Sequence, residues 1–125
     1  MVPDALRYTF SYETDSYAGG VLSEIDRIKA SGFEILKLKN MWHRSEYHGI
    51  NSQWRDPATS HRFEVQFHTA ISFEAKQLTH GVYERIRDPA GSTSRRELRQ
   101  LHRLQRDITA QIPTPPGVGD IRDQG

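Results

Sequence analysis

The chain contains no cysteine, which excludes disulfide bonds, thiolate metal sites and cysteine nucleophiles. It also lacks an apolar run near the ~20 residues that a bilayer-spanning helix needs, and its first residues do not show the basic and then apolar pattern of a signal peptide. The chain also lacks a large excess of either charge, because 17 basic and 16 acidic side chains give a net charge of +1. The composition predicts a soluble protein and gives no general reason to expect DNA binding.

The length of 125 residues suits a single domain, since most domains need ~100–150 residues for one core. Only 35% of the residues are hydrophobic, but five Phe, five Tyr and two Trp provide material for a folded core. We assign the domain to residues 1–112. Residues 113–125 are rich in Pro and Gly, which predicts a flexible tail outside the core.

The hydrophobic pattern predicts the element order β-α-β-β-β-α-α. This order is typical of an α+β fold in which a mixed sheet of about four strands packs against helices. Gly32 is expected to end the first helix, and Ser94 with Glu97 forms a capping box that begins the last one. The second helix is expected to begin at Ser72 and to face the core with residues that include Ile71 and Leu78.

The segment 63–69, which reads FEVQFHT, contains the most informative pattern in the chain. Because side chains alternate along a strand, the apolar residues of this segment face the core while Glu64, Gln66 and His68 line the opposite face. An acid, an amide and an imidazole on one face indicate either a solvated outer surface or a functional site.

The preceding strand, expected over 47–54, could bring further polar groups to that face. Tyr47, Gly49 and Asn51 share one parity. A flat ring can stack on a nucleotide base, and a neighbouring glycine lets a ligand approach the backbone.

These motifs together resemble the synthetase domain of RelA/SpoT-type alarmone enzymes. The similar residues are YHGIN at 47–51, FEVQFHT at 63–69 and a following helix that carries Lys76, while DALRYT at 4–9 is similar to the family's first catalytic strand. The motif variants resemble most closely the RelA-like domains of bacterial polymorphic toxins. In the family, helices and basic residues before that strand help to hold ATP, so we expect the N-terminal part of the domain to be missing.

The resemblance implies the transfer of pyrophosphate from ATP to the 3′-hydroxyl of a purine nucleotide or an RNA 3′ end, with AMP as the second product. It implies that Asp4 and Glu64 are catalytic and hold Mg²⁺. The substrate-binding residues that it implies are Tyr47, Asn51, Gln66, His68, Lys39, Arg44, His48 and Lys76, of which the last five are candidate cations for the phosphates. A toxin of this kind would act in the cytoplasm after delivery from another bacterium and would have an immunity protein as partner.

Two alternatives remain open on the sequence. One is a non-catalytic nucleotide-binding or protein-interaction domain that keeps the acceptor face. The weaker one is an ADP-ribosyltransferase, suggested by Arg7, the segment Ser92–Ser94 and Glu97, although a helix cap explains Ser94 and Glu97 better. The arginines of the last helix are typical of a solvated face rather than of a nucleic-acid patch.

Overall fold

The computed structural model describes residues 6–87 and 94–125. Within these ranges the chain forms four strands, four α-helices and two short 3₁₀ helices at Thr14–Ser16 and Val118–Asp120. The elements are β1 (Leu6–Tyr12), α1 (Tyr17–Ala30), β2 (Glu34–Asn40), β3 (Ile50–Arg55), β4 (Arg62–Thr69), α2 (Ala70–Leu78), α3 (His80–Ile86) and α4 (Arg95–Ala110).

The four strands form one mixed sheet in the order β1-β4-β3-β2. β1 pairs in parallel with β4, whereas β4 pairs antiparallel with β3, and β3 antiparallel with β2. The connection between β3 and β4 is the predicted hairpin, and the long crossover from β1 contains α1. The predicted α+β class with a mixed sheet is therefore confirmed.

The core lies between α1 and the apolar face of the sheet. Val21 and Ile25 of α1 belong to one cluster with Val65 and Phe67 of β4. The fully buried Tyr17 donates its hydroxyl hydrogen bond to the Phe67 carbonyl, which ties the start of the helix to the central strand. The helix ends before Gly32, whose φ of 98° is one that glycine adopts without strain, as the sequence predicts.

The second predicted helix is two helices, α2 and α3, separated at Thr79. α2 begins at Ala70 rather than Ser72, and Ser72 instead shares a capping box with Thr69. The expected core stripe is correct for Ala75, which is buried, but wrong for Ile71 and Leu78, which are 47% and 69% exposed. The buried positions of this region are Ser72, Ala75 and Thr79.

Residues 113–125 pack on the domain, so the expectation that they lie outside the core is wrong. Val118 and Ile121 are buried in the main cluster. Gln124 exchanges two backbone hydrogen bonds with Leu38 of β2, at 3.0 and 2.9 Å. The segment therefore covers the edge of β2 that the sheet leaves unpaired.

Among the described residues, no helix has both the length and the apolar character needed to cross a membrane.

Candidate functional site

One face of the sheet is polar, and strand pairing sets its order. Across the sheet, Arg7 of β1 is paired with Glu64 of β4, and Glu64 with Gln53 of β3. In the next row, Gln66 of β4 is paired with Asn51 of β3. Since paired residues point to the same side of a sheet, the acid and amides of the sequence motifs meet on one surface, as their parity predicts.

Glu64 forms an ion pair with Arg7, whose Nε donates to Oε2 at 2.8 Å. The Glu64 side chain keeps 32% of its surface exposed, so its carboxylate is open to a ligand. Sequence reasoning named Arg7 only for the ADP-ribosyltransferase alternative and not as a partner of Glu64. Its position in the DALRYT motif was a signal, but only the parallel pairing of β1 with β4 places it opposite Glu64.

Lys76 reaches the same surface from α2. Its Nζ donates a hydrogen bond to Oε1 of Gln66 at 2.7 Å. Burial lowers the pKa of Lys76, and the positive charge of Arg7 lowers it further, whereas Glu64 raises it. These interactions put two cations and one carboxylate in the same neighbourhood, a charge pattern suited to phosphate oxygens beside a carboxylate.

His68 occupies a different environment from the one predicted. It is fully buried, its Nε2 lies 3.0 Å from the Tyr47 hydroxyl, and its Nδ1 lies 2.8 Å from Oγ of Ser72. Burial lowers its pKa to about 4, with a smaller contribution from Lys76. His68 is therefore neutral and enclosed near pH 7, and the interpretation of His68 as a cation for phosphates is wrong.

Tyr47 precedes β3 and packs edge-on against the ring of His68, with ring centroids 5.7 Å apart. Its hydroxyl also lies 3.4 Å from Oδ1 of Asn51. The open space expected above Gly49 is filled, because a Cβ atom at this position would lie 2.7 Å from Cε1 of His68. Gly49 makes room for a side chain of the protein rather than for a ligand.

The remaining candidate cations lie around the site, without contact to Glu64. His48 stacks on Trp42, with centroids 5.0 Å apart, and its Nε2 donates to the Arg44 carbonyl at 2.9 Å. Burial lowers the pKa of His48. Arg44 is exposed in the loop, and Lys39 is exposed on β2 opposite Asn51.

The predicted Mg²⁺ ligands are only partly within the described residues. Asp4 lies outside them, while Glu64 contributes one accessible carboxylate. Residues 6–87 and 94–125 contain no group of three His, Cys, Asp or Glu side chains that could hold a metal. Mg²⁺ in phosphate chemistry is commonly held by one or two carboxylates together with substrate oxygens, and Glu64 fits that role.

The residues that suggested an ADP-ribosyltransferase have other partners. Ser94 accepts a hydrogen bond from the Glu97 amide at 3.2 Å and caps α4. The Glu97 carboxylate pairs with Arg85 at 2.8 Å. These contacts explain Ser94 and Glu97 as a helix cap and a bridge between α3 and α4, while Ser92 lies outside the described residues.

The fold is similar to that of several solved structures. Small alarmone synthetase 2 from Bacillus subtilis matches with a TM-score of 0.59 and 14% identity, over 82% of this chain and 55% of that chain. A GTP pyrophosphokinase family protein from Streptococcus pneumoniae gives 0.56 and 15%, over 91% of this chain and 57% of that chain. Small alarmone synthetase 1 from Bacillus subtilis, bound to its product pppGpp, gives 0.53 and 12%, over 83% and 55%.

No model of a protein family matches the sequence, and no curated protein matches it. The chain spans slightly more than half the length of the structures that it resembles. At identities of 12–15% the likeness concerns the fold. The described polar face thus belongs to a chain with the fold of the small alarmone synthetases.

Proposed function

We propose that this chain transfers pyrophosphate from ATP to the 3′-hydroxyl of a purine nucleotide and releases AMP. The observation that carries the proposal is the exposed carboxylate of Glu64, paired with Arg7 on the polar face of a synthetase-like sheet. A similar fold holds its product pppGpp in small alarmone synthetase 1. The charge pattern around Glu64 supports the same chemistry here.

The reaction joins the acceptor's 3′ oxygen to the β-phosphorus of ATP and breaks the bond to the α-phosphate oxygen, which leaves with AMP. In this proposal, Glu64 accepts the hydrogen bond of the attacking hydroxyl and takes its proton. Arg7 and Lys76 offer positive charge to the phosphate oxygens near that carboxylate. When bound, Mg²⁺ would neutralise phosphate charge, with Glu64 and, by the family resemblance, Asp4 as its protein ligands.

Tyr47 supplies the aromatic surface on which we propose that the acceptor base stacks. Its hydroxyl is held by His68 and Asn51, so the orientation of the ring is set before any ligand binds. Such preorganisation reduces the entropy that is lost on binding. Because any base can stack on an aromatic ring, the ring does not identify the acceptor, and the reaction rates with several acceptor nucleotides need to be compared.

The experiment is to incubate the chain with labelled ATP, Mg²⁺ and, in turn, GDP, GTP, GMP, ADP or tRNA. We expect AMP together with one pyrophosphorylated product, and a loss of at least ~10²-fold in rate for Glu64→Gln. Glu34→Gln is a matched control, because Glu34 forms a similar exposed ion pair with Arg55 at 3.0 Å. Equal rates in wild type and Glu64→Gln would refute the proposed role of the carboxylate.

We further propose, from the motif resemblance, that the domain acts as a toxin module in the cytoplasm of a target cell, with an immunity protein as partner. Expression in a bacterial host tests the toxin role. We expect growth arrest with the wild type and normal growth with Glu64→Gln at equal protein levels. Arrest by both proteins would count against toxicity through pyrophosphate transfer.

A second candidate is a nucleotide-binding domain without turnover. The position of Tyr47 favours it, because His68 and Asn51 hold this ring through its hydroxyl and the ring could bind a base whether or not a reaction follows. This alternative predicts calorimetric binding of a purine nucleotide that Tyr47→Leu weakens by ~1–3 kcal/mol, the usual contribution of base stacking, with no AMP formed.

A further inference from the structure

Helix α4 presents a stripe of arginines on a single side. At 100° of rotation per residue, all of them fall within an arc of roughly 100°, and they extend over about 16 Å of helix axis. The residues of this arginine stripe are Arg95, Arg96, Arg99, Arg103 and Arg106. An adjacent side of α4 faces the domain, where the buried Thr109 and Gln105 lie about 40° and 80° from the edge of the arc.

The charges of the arginine stripe are not neutralised by the described part of the chain. All five residues are exposed, and none forms a salt bridge with a residue in the ranges 6–87 and 94–125. Elsewhere, Arg7, Arg55 and Arg85 each pair with a carboxylate. Since the whole chain has a net charge of only +1, the stripe is a local basic surface on an otherwise acidic molecule.

The chemistry of the stripe favours a nucleic acid over a protein. Protein interfaces are usually centred on large buried aromatic or aliphatic side chains, and the only apolar residue of α4 within the arc is the small Ala110 at the end of the helix. The exposed large apolar residue of α4, Leu104, lies about 80° beyond the edge of the arc. Interfaces with nucleic acids are more polar and more positive, and the guanidinium fork binds phosphate with two parallel hydrogen bonds. We propose that the arginine stripe of α4 binds the phosphate backbone of a single-stranded nucleic acid.

Contacts on its inner side connect α4 to the candidate site. Nδ1 of His102 lies 2.6 Å from Oε1 of Glu46, and Nε2 of Gln105 donates to the Glu46 carbonyl at 2.9 Å. Glu46 immediately precedes Tyr47 in the chain. Helix α4 therefore packs against the segment that carries Tyr47. Binding at the stripe itself requires no turnover and is distinct from the proposed transfer reaction.

The test is fluorescence anisotropy of the full chain with a labelled, unstructured RNA oligonucleotide, and with DNA of the same sequence, in the absence of ATP. We expect binding whose affinity falls linearly with salt on logarithmic axes between about 50 and 200 mM. Arg99→Gln/Arg103→Gln should weaken binding at least ~10-fold at the lower salt and reduce the slope by about 1.4, at ~0.7 per lost phosphate contact. Equal binding of RNA and DNA would support binding through the phosphate backbone. A preference for one of them would support it too and would show which nucleic acid the stripe binds.

Two further variants complete the test. Arg27→Gln/Arg122→Gln removes the same charge from two exposed positions outside α4 and should bind like the wild type. Arg99→Lys/Arg103→Lys keeps the charge and should retain most of the salt slope. The proposal is overturned if the wild type does not bind, if both Gln double variants lose affinity equally, or if polyglutamate competes as well as unlabelled RNA at equal charge. Nucleic-acid binding without AMP formation would contradict the proposed function alone, and AMP formation without such binding would contradict this inference alone.

Discussion

The hydroxyl of Tyr47 lies 3.0 Å from Nε2 of His68, and this contact joins the loop before β3 to the central strand β4. The other ring nitrogen of His68 lies 2.8 Å from Oγ of Ser72 at the start of α2. Both ring nitrogens of His68 therefore have partners while the ring is neutral. His68 connects three elements and holds the ring on which we propose that the base stacks.

Gly49→Ala should destabilise the protein, because the added Cβ would lie 2.7 Å from Cε1 of His68 and 3.1 Å from Cε1 of Tyr47. Both rings are held by hydrogen bonds, so neither can move away without loss. We expect the free energy of unfolding to fall by about 1–3 kcal/mol, as measured by chemical denaturation.

Gly19→Ala is the matched control, since its Cβ would meet nothing within 4 Å in the exposed part of α1. There we expect a gain of up to ~1 kcal/mol from helix propensity. Equal stability changes in the two variants would show that the space above Gly49 is not restricted.

The stability of the fold should depend on pH through His68. Its pKa is about 4 in the folded state, against 6.5 for an unperturbed imidazole. Between these values the unfolded chain binds the additional proton, so acid favours unfolding. The contribution of the neutral ring is complete above pH ~6.5 and is lost as the pH falls towards ~4, by on the order of 3 kcal/mol in total.

Denaturation at several pH values between about 7 and 4 measures this dependence. His68→Gln cannot titrate, and its stability should therefore fall less steeply with acid than that of the wild type. His61→Gln, at an exposed position, should keep the wild-type slope. The prediction fails if His68→Gln retains the full wild-type slope.

Local sequence patterns predicted what depends on local geometry. The alternation within FEVQFHT placed Glu64 and Gln66 on one face of β4, and the register with β1 and β3 agrees. The helix end at Gly32 was predicted for the same reason, because only the backbone at that position decides it.

What covers each face could not be predicted, because this depends on contacts that are distant in sequence. Alternation treats the polar face of β4 as a uniform surface, yet Glu64 remains accessible while His68 is buried beneath Tyr47 and α2. The Pro and Gly content of residues 113–125 indicated a flexible tail. Composition alone does not show that Val118 and Ile121 have a complementary surface on the domain to pack against. The partner of Glu64, Arg7, lies 57 residues away and required the parallel pairing.

Arg7→Gln should reduce pyrophosphate transfer about 10²-fold, because it removes both the orientation of the Glu64 carboxylate and a positive charge near the phosphates. The assay is AMP release from labelled ATP at saturating acceptor. Arg55→Gln breaks the similar pair with Glu34 and should retain activity within about twofold. Activity of Arg7→Gln close to that of Arg55→Gln would remove Arg7 from the site.

Asn40→Asp should release the C-terminal segment from the edge of the sheet. Nδ2 of Asn40 donates to the carbonyls of Val118 and Ile121, each at 2.8 Å, and the residue is 7% exposed. The isosteric carboxylate cannot donate and would face both carbonyls as an acceptor. We therefore expect a loss of about 2–4 kcal/mol in the free energy of unfolding.

Amide hydrogen exchange should also accelerate at Leu38 and Gln124, whose mutual bonds close this edge. Gln77→Glu makes the same chemical change at an exposed position and should leave both amides protected. Unchanged exchange at Gln124 in Asn40→Asp would mean that Val118 and Ile121 hold the segment by packing alone.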